Sequence, residues 1–401
     1  MRVSSEIIAK TEKFGANNYL PLPVVLTKGE GVWVWDLEGR KYLDMLSAYS
    51  ALSHGHRHPK VVAALKDQAD RLTLTSRAFH NDLLGDFYER VAKLTGLPRV
   101  LPMNTGAEAV ETALKAARKW GYVEKGVKEG KAEIIVCEDN FHGRTISVIS
   151  FSTEAEYRKD FGPFTPGFKT VEYGNLEALN AAINENTVAF LVEPIQGEAG
   201  VRVPPAGYLK KAHELCKANK VLLLADEVQT GFGRTGKMFC SEHEGVLPEV
   251  IIMGKALGGG VYPVSAIAAT EEVMRGFGPG QHGSTFGGNP LAAAVAIAAL
   301  DVLVEENLVE RAREMGEYLM SGLKEIRSPF IREIRGAGLL IGIDLVPEAG
   351  GARRFCEALM TEGMLCKETH ESVVRLAPPL IIAREEIDWA IERLQRVLVV
   401  N

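Results

Sequence analysis

The feature that most constrains this chain is a series of short apolar runs through its middle: IIVC at 134–137, ISVIS at 146–150, VAFLVE at 188–193, VLLLAD at 221–226, VIIMG at 250–254 and VSAIAAT at 264–270. None alternates apolar with polar residues, so each reads as a strand covered on both faces. Apolar-periodic stretches at 107–120, 176–184 and 208–219 lie between them and read as helices. Buried strand alternating with helix predicts an α/β fold with a largely parallel sheet, whose ligands gather at the carboxyl ends of the strands.

The two ends of the chain follow a different pattern. VVLTKGEGVWVWDLEGRKYLDM (24–45) alternates apolar and polar residues around Gly29–Gly31 and Glu38–Gly39, the mark of small antiparallel strands with tight turns. After residue 296 come a helix, strand-like runs at 330–334 and 339–345, another helix, VVRLAPPL (373–380) and a last amphipathic helix from Arg384. The expected division is an N-terminal segment (1–49) packed with a small α+β domain (296–401), and a large domain (50–295) between them. At 401 residues the chain is long enough for two domains.

Composition narrows the function classes. A net charge of −6 without a basic patch argues against nucleic acid and against a membrane surface. The longest apolar run, LAAAVAIAAL at 291–300, is too short to span a bilayer and reads as a buried helix. The N-terminal stretch lacks the apolar core of a signal peptide. Five scattered cysteines, an odd number with no CxxC pair, fit reduced thiols and a cytoplasmic location. The cluster His54, His56 and His58 has no ligand set to complete a metal site, and none is expected.

Gly231–Gly236 satisfies GxGxxG and nearly completes a Walker A motif. However, four residues separate it from the preceding strand, and Met238 stands where a Walker motif needs Ser or Thr. More informative are LLLADEVQ, which ends a strand on Asp226, and VIIMGKALGGG, which delivers Lys255. Taken alone, these two residues are either solvated strand ends, a structural ion pair, or a working acid and amine. Pyridoxal phosphate chemistry uses such a pair: a lysine amine bonded to the cofactor aldehyde and a carboxylate keeping the ring nitrogen protonated. Gln229, three residues after Asp226, is placed to hold the ring hydroxyl. Asn104-Thr105-Gly106-Ala107-Glu108 opens a helix whose free N–H groups and Thr105 hydroxyl suit a phosphate. The polar loop with Ser284 and Thr285 is a second candidate, and Phe141-His142 offers a ring to lie over the pyridine.

These motifs together resemble the pyridoxal-phosphate aminotransferases of class III, the ω-amino acid group. The likeness runs through LPMNTGAEAVETALKAAR, NFHGRT, VEPIQGEAG, LLLADEVQTGFGRTG, MGKALGGG, HGSTFGGNP and RLAPPL. The resemblance implies fold type I and a homodimer. It implies Lys255 as the Schiff-base lysine, Asp226 at the ring nitrogen, Gln229 at the ring hydroxyl, Phe141 stacked on the ring with His142 beside it, and Gly106 and Ala107 at the phosphate. Thr285, with Ser284, would reach the phosphate of the neighbouring subunit.

For substrates, Arg144 would hold the remote carboxylate and Arg375 the α-carboxylate of glutamate. Glu198 would neutralise Arg375, Glu193 would line the same pocket, and Tyr19 and Tyr49 would shape the end that takes the α-amino and α-carboxylate groups. The two tyrosines place the chain nearest the ornithine branch of the family, with L-ornithine and 2-oxoglutarate as substrates and a role in arginine or proline metabolism. A transaminase for acetylornithine or 4-aminobutyrate, an aminomutase of the glutamate-1-semialdehyde type and a non-catalytic cofactor-binding protein are the alternatives at this stage.

Overall fold

A computed structural model describes residues 3–399. Near the N-terminus β1 (Leu26–Glu30), β2 (Trp33–Asp36) and β3 (Lys41–Asp44) form an antiparallel meander. Gly31 makes the first turn in the left-handed region at φ +59°.

Seven strands build the central sheet: β4 (Arg99–Met103), β5 (Glu133–Cys137), β6 (Phe168–Val171), β7 (Thr187–Val192), β8 (Leu222–Asp226), β9 (Val250–Met253) and β10 (Ser265–Ala269). Their order is β4-β10-β9-β8-β7-β5-β6. β9, β8, β7, β5 and β6 pair in parallel, while β10 runs antiparallel to both its neighbours. Every residue of β7, β8, β9 and β10 is buried, which is why these runs carry no polar alternation. The sheet is therefore largely parallel, as the apolar runs predict.

Two strands escape the sequence pattern, and one expected strand is a helix. β4 carries Pro102, and β6 is a short FKTV segment; both lie at sheet edges, where a proline or an exposed residue breaks no ladder. Residues 146–150, expected as a strand, instead form the short helix Ile146–Ile149. Thr145 caps it by accepting from the Val148 amide (3.4 Å), and Ile146 turns outward while Val148 and Ile149 are buried.

The C-terminal part holds β11 (Ile331–Ala337), β12 (Leu340–Leu345), β13 (Met364–Leu365), β14 (Lys367–Thr369) and β15 (Val373–Leu376). Four of them form an antiparallel sheet in the order β11-β12-β15-β14, against which the helix Leu308–Glu325 packs. β13 instead joins β3 in parallel, tying the two ends of the chain together. Trp33 reinforces that junction: its indole N–H donates to Glu386 (2.9 Å) and its ring meets Trp389 edge-on. The alanine-rich run lies in the helix Pro290–Glu305, capped by Asn289 and largely buried. Position 295 falls inside this helix. Among the described residues no helix is long and apolar enough to cross a membrane. All five cysteines are buried and free.

Candidate active site

Because β4, β5, β7, β8 and β9 point the same way, their carboxyl ends deliver side chains to one edge of the sheet. The helix Gly106–Trp120 follows β4, Phe141 and His142 follow β5, and Glu193 and Glu198 follow β7. Asp226 ends β8, and Lys255 follows β9 after Gly254. They surround a cavity of about 170 Å³ lined by Gly106, Ala107, Phe141, His142, Glu193, Glu198, Asp226, Gln229 and Lys255.

Thr105 and Glu108 form a capping box. Thr105 Oγ1 accepts from the Glu108 amide (3.2 Å), and Glu108 Oε2 accepts from the Thr105 amide (2.9 Å). The Gly106 and Ala107 amides, first of the helix, have no partner among the described residues and form the positive end of its dipole. The approach is close: a Cβ on Gly143, at φ +118°, would lie 2.9 Å from the Ala107 Cβ.

No ion pair joins Asp226 to Lys255 among the described residues. Asp226 Oδ2 instead meets His142 Nδ1 at 2.6 Å, and Oδ1 accepts from the Val228 amide at 3.1 Å. His142 thus lies against the acid that ends β8. Burial disfavours its charged form, but the bond to Asp226 outweighs this and raises its pKa. Burial lowers the Lys255 pKa, with Glu198 and Asp226 opposing the shift. Glu193 accepts from the Phe141 amide (2.9 Å), and burial pushes its carboxyl up to about 7. Gln229 donates to Glu198 (3.1 Å), and there is no room for a side chain at Gly197, where a Cβ would lie 1.5 Å from Gln229 Oε1.

Arg375, on β15, reaches across to Glu198. Its Nη1 lies 2.6 Å from Glu198 Oε1, and the guanidinium is only 1% exposed. Burial works to raise the Glu198 pKa, yet the charges of Arg375 and Lys255 hold it below the usual carboxylate range. The Tyr49 ring sits 4.9 Å from the Arg375 guanidinium. Tyr19 is 75% exposed and close enough to act on Tyr49 electrostatically. Arg144 is exposed, with its guanidinium 3.7 Å from the Tyr157 ring and 5.6 Å from that of Phe141.

Ser284 accepts from Asn104 Nδ2 (2.8 Å) beside the capped helix, whereas Thr285 faces outward. The histidine cluster disperses: His54 bonds the Ala299 carbonyl, His56 bonds Asp44 and His58 bonds Glu306. Several contributors escaped the sequence reading: Val110, Gly143, Ile195, Val228 and Thr230 line the cavity, and Tyr157 meets Arg144. Val228 lines the cavity between Asp226 and Gln229 inside a motif already recognised, so strand-end alternation could have found it. Tyr157 stacks on Arg144 from the short helix Ala155–Arg158, which belongs to no motif.

The residues fit pyridoxal phosphate. Gln229 Oε1 and His142 Nε2 are buried with no partner among the described residues, and two helix-end amides are free. The groups that face one another are an amine, an acid and an amide around one cavity.

Comparison with known proteins agrees with this geometry. A family model described as aminotransferase class-III matches residues 14–398. Ornithine aminotransferase from Brevibacillus brevis is 63% identical over 398 residues, 99% of each chain, and that from Bacillus subtilis is 59% identical over 98% of each. Among solved structures, ornithine aminotransferase from Toxoplasma gondii superposes with a TM-score of 0.98 at 46% identity, covering 99% of this chain and 95% of that one. Acetylornithine aminotransferase from Elizabethkingia anophelis gives 0.90 at 49% identity, covering 99% of both. A sheet of this topology, a strand-end acid and lysine around one cavity, and likeness along the whole chain lead to one assignment: the chain belongs to the class-III aminotransferases, of fold type I.

Proposed function

We propose that this chain moves the δ-amino group of L-ornithine to 2-oxoglutarate, giving glutamate 5-semialdehyde and glutamate, with pyridoxal 5′-phosphate as cofactor. The observation that carries the reading is the pair of buried Arg375 with half-buried Glu198 near Lys255, with Tyr49 against it. While Glu198 neutralises Arg375, the pocket tolerates the uncharged chain carbon of a terminal amine; once released, Arg375 suits the α-carboxylate of the acceptor.

Lys255 would hold the cofactor through Nζ. Asp226, oriented by His142, would face the ring nitrogen, Gln229 the ring hydroxyl and Phe141 the ring face. The Gly106 and Ala107 amides, with the Thr105 hydroxyl, would hold the phosphate. When bound, the cofactor supplies an aldehyde for amine exchange and a sink for the electron pair left when a substrate proton departs. The Lys255 amine, its pKa lowered by burial, takes that proton from the substrate carbon and returns it on the neighbouring side. Arg144 would hold the distal carboxylate of 2-oxoglutarate, Glu193 would line the pocket, and Tyr19 and Tyr49 would close the far end around the α-groups of ornithine.

Ser284 and Thr285 would complete the phosphate site of a second copy. The outward-facing Thr285 and the neighbouring Phe286, 50% exposed, support such a homodimer. We assign the chain to the cytoplasm, to arginine or proline metabolism, and to partners that are small molecules rather than nucleic acid or membrane. Its parts are an N-terminal segment 1–49, a large domain 50–295 and a small domain 296–401.

The likeness to an acetylornithine aminotransferase sets the second reading. A spectrophotometric half-reaction screen with ornithine, acetylornithine and 4-aminobutyrate tests both. The largest kcat/KM with ornithine, together with a requirement for 2-oxoglutarate, is expected. A preference for acetylornithine transfers the assignment to the second reading, and turnover without an oxo-acid makes the chain an aminomutase.

A further inference from the structure

Four consecutive residues without glycine, Ser47, Ala48, Tyr49 and Ser50, have φ of +44°, +48°, +60° and +76°. They form one left-handed turn. Each L-residue is disfavoured in that region by contact between its Cβ and the following carbonyl, so the surroundings must hold the turn in place. It carries Tyr49, whose ring faces Arg375.

Two groups hold it. On one side Asp44 Oδ1 accepts from the amides of Leu46 (2.9 Å) and Ser47 (2.8 Å), while Asp44 Oδ2 is fixed by His56 (2.7 Å). On the other side stands Arg234, in the GFGRTG loop that follows Gln229. It is wholly buried, and no carboxylate lies within ion-pair distance of it among the described residues. Its Nη2 donates to Ser47 Oγ (3.3 Å) and Ser53 Oγ (3.2 Å). Each hydroxyl passes the contact on: Ser47 donates to the Ala377 carbonyl (2.6 Å) and Ser53 to the Ser50 carbonyl (3.1 Å), so the two bracket the turn. Nη1 donates to the carbonyls of Leu339 (3.0 Å) and Pro378 (2.5 Å), next to the strand that bears Arg375. Burial lowers the guanidinium to about 9, which leaves it charged at neutral pH. Burying an unpaired cation is costly, and its four neutral acceptors lie in the left-handed turn, just after it, just before β12 and just past β15.

We propose that Arg234 is a positioning residue: it holds Ser47–Ser50 left-handed and in register with β15, and so sets Tyr49 against Arg375 at the end of the site that takes the α-groups of the amine substrate. This rests on the ornithine reading for the identity of the amine, but not for the clamp itself.

The test is the holoenzyme with Arg234→Lys and Arg234→Met, followed by hydrogen exchange of the peptide covering 46–53 and by steady-state kinetics. Lysine keeps the charge but cannot span four acceptors. The expected result is faster exchange confined to 46–53, a KM for ornithine raised about tenfold or more, and a kcat within about threefold of wild type. Unchanged exchange at 46–53 overturns the proposal. So does faster exchange with an unchanged KM, because Arg234 would then be a structural tie alone. Should both variants fail to fold, Ser53→Ala removes one relay and must move exchange and KM in the same directions by a few-fold. If the wild type ignores ornithine, the functional reading fails. The exchange result still decides the clamp, and the KM is then read with whichever amine the enzyme accepts.

Discussion

Glu198 and Glu193 lie five residues apart in sequence, yet the fold gives them opposite electrostatics. Glu198 is held ionised by Arg375, whereas Glu193 accepts a hydrogen bond from the Phe141 amide and burial pushes its carboxyl up to about 7. Glu198→Gln keeps an acceptor for Arg375 but removes the compensating charge. The kcat/KM for ornithine should fall about tenfold or more, a loss of ~1.4 kcal/mol or greater, while the glutamate half-reaction is maintained. Equal losses in the two half-reactions would reduce the pair to a structural role.

Glu193 makes a separate claim about stability. Its folded pKa of about 7 stands above the unfolded carboxylate value of 4.5, so the folded protein binds more protons between those limits. Stability from this group is therefore fully present below about pH 4.5 and is lost as pH rises to about 7, on the order of 3 kcal/mol. Glu193→Gln should abolish that component. The melting temperature of the variant minus that of wild type is expected to increase across this window, and a flat difference would contradict it.

At the scale of elements, the site depends on loops brought close together at the sheet edge. The turn after β7 and the loop after β8 touch where Gly197 meets Gln229. Gly197→Ala forces Gln229 away, so the variant should fold but bind pyridoxal phosphate about tenfold more weakly in a fluorescence titration. Unchanged affinity would remove Gln229 from the cofactor site.

The same elements explain what could be read from sequence. VLLLAD and VIIMG were legible as strands because both faces are covered, and the residues ending or following them were legible as chemistry because buried charges need a purpose. β4 and β6 were not, since an edge strand tolerates proline and exposed residues. ISVIS has β-branched composition, but a single capping threonine decides it as a helix. The Arg375–Glu198 pair spans 177 residues and the His142–Asp226 bond spans 84. No local pattern encodes either distance. Family resemblance pointed to the first pair, and only the fold revealed the second.

For the whole molecule, the question is whether one chain makes a complete site. The helix end at Gly106 offers two amides with no partner among the described residues, whereas Thr285 is exposed and does not line the cavity. If Thr285 serves the phosphate of a second copy across a two-fold axis, defects in Lys255 and Thr285 must complement one another, because each site in a dimer takes its lysine from one chain and its threonine from the other. Lys255→Ala should be inactive, and Thr285→Val should be weakly active at limiting cofactor. Unfolding, mixing and refolding the two together gives a population in which half the dimers are mixed. Each mixed dimer contains one site with both residues intact and one with neither, so about a quarter of all sites should recover wild-type cofactor affinity. A mixture that shows only the sum of its two parents would exclude Thr285 from the partner's site, and each chain would then bind its cofactor alone.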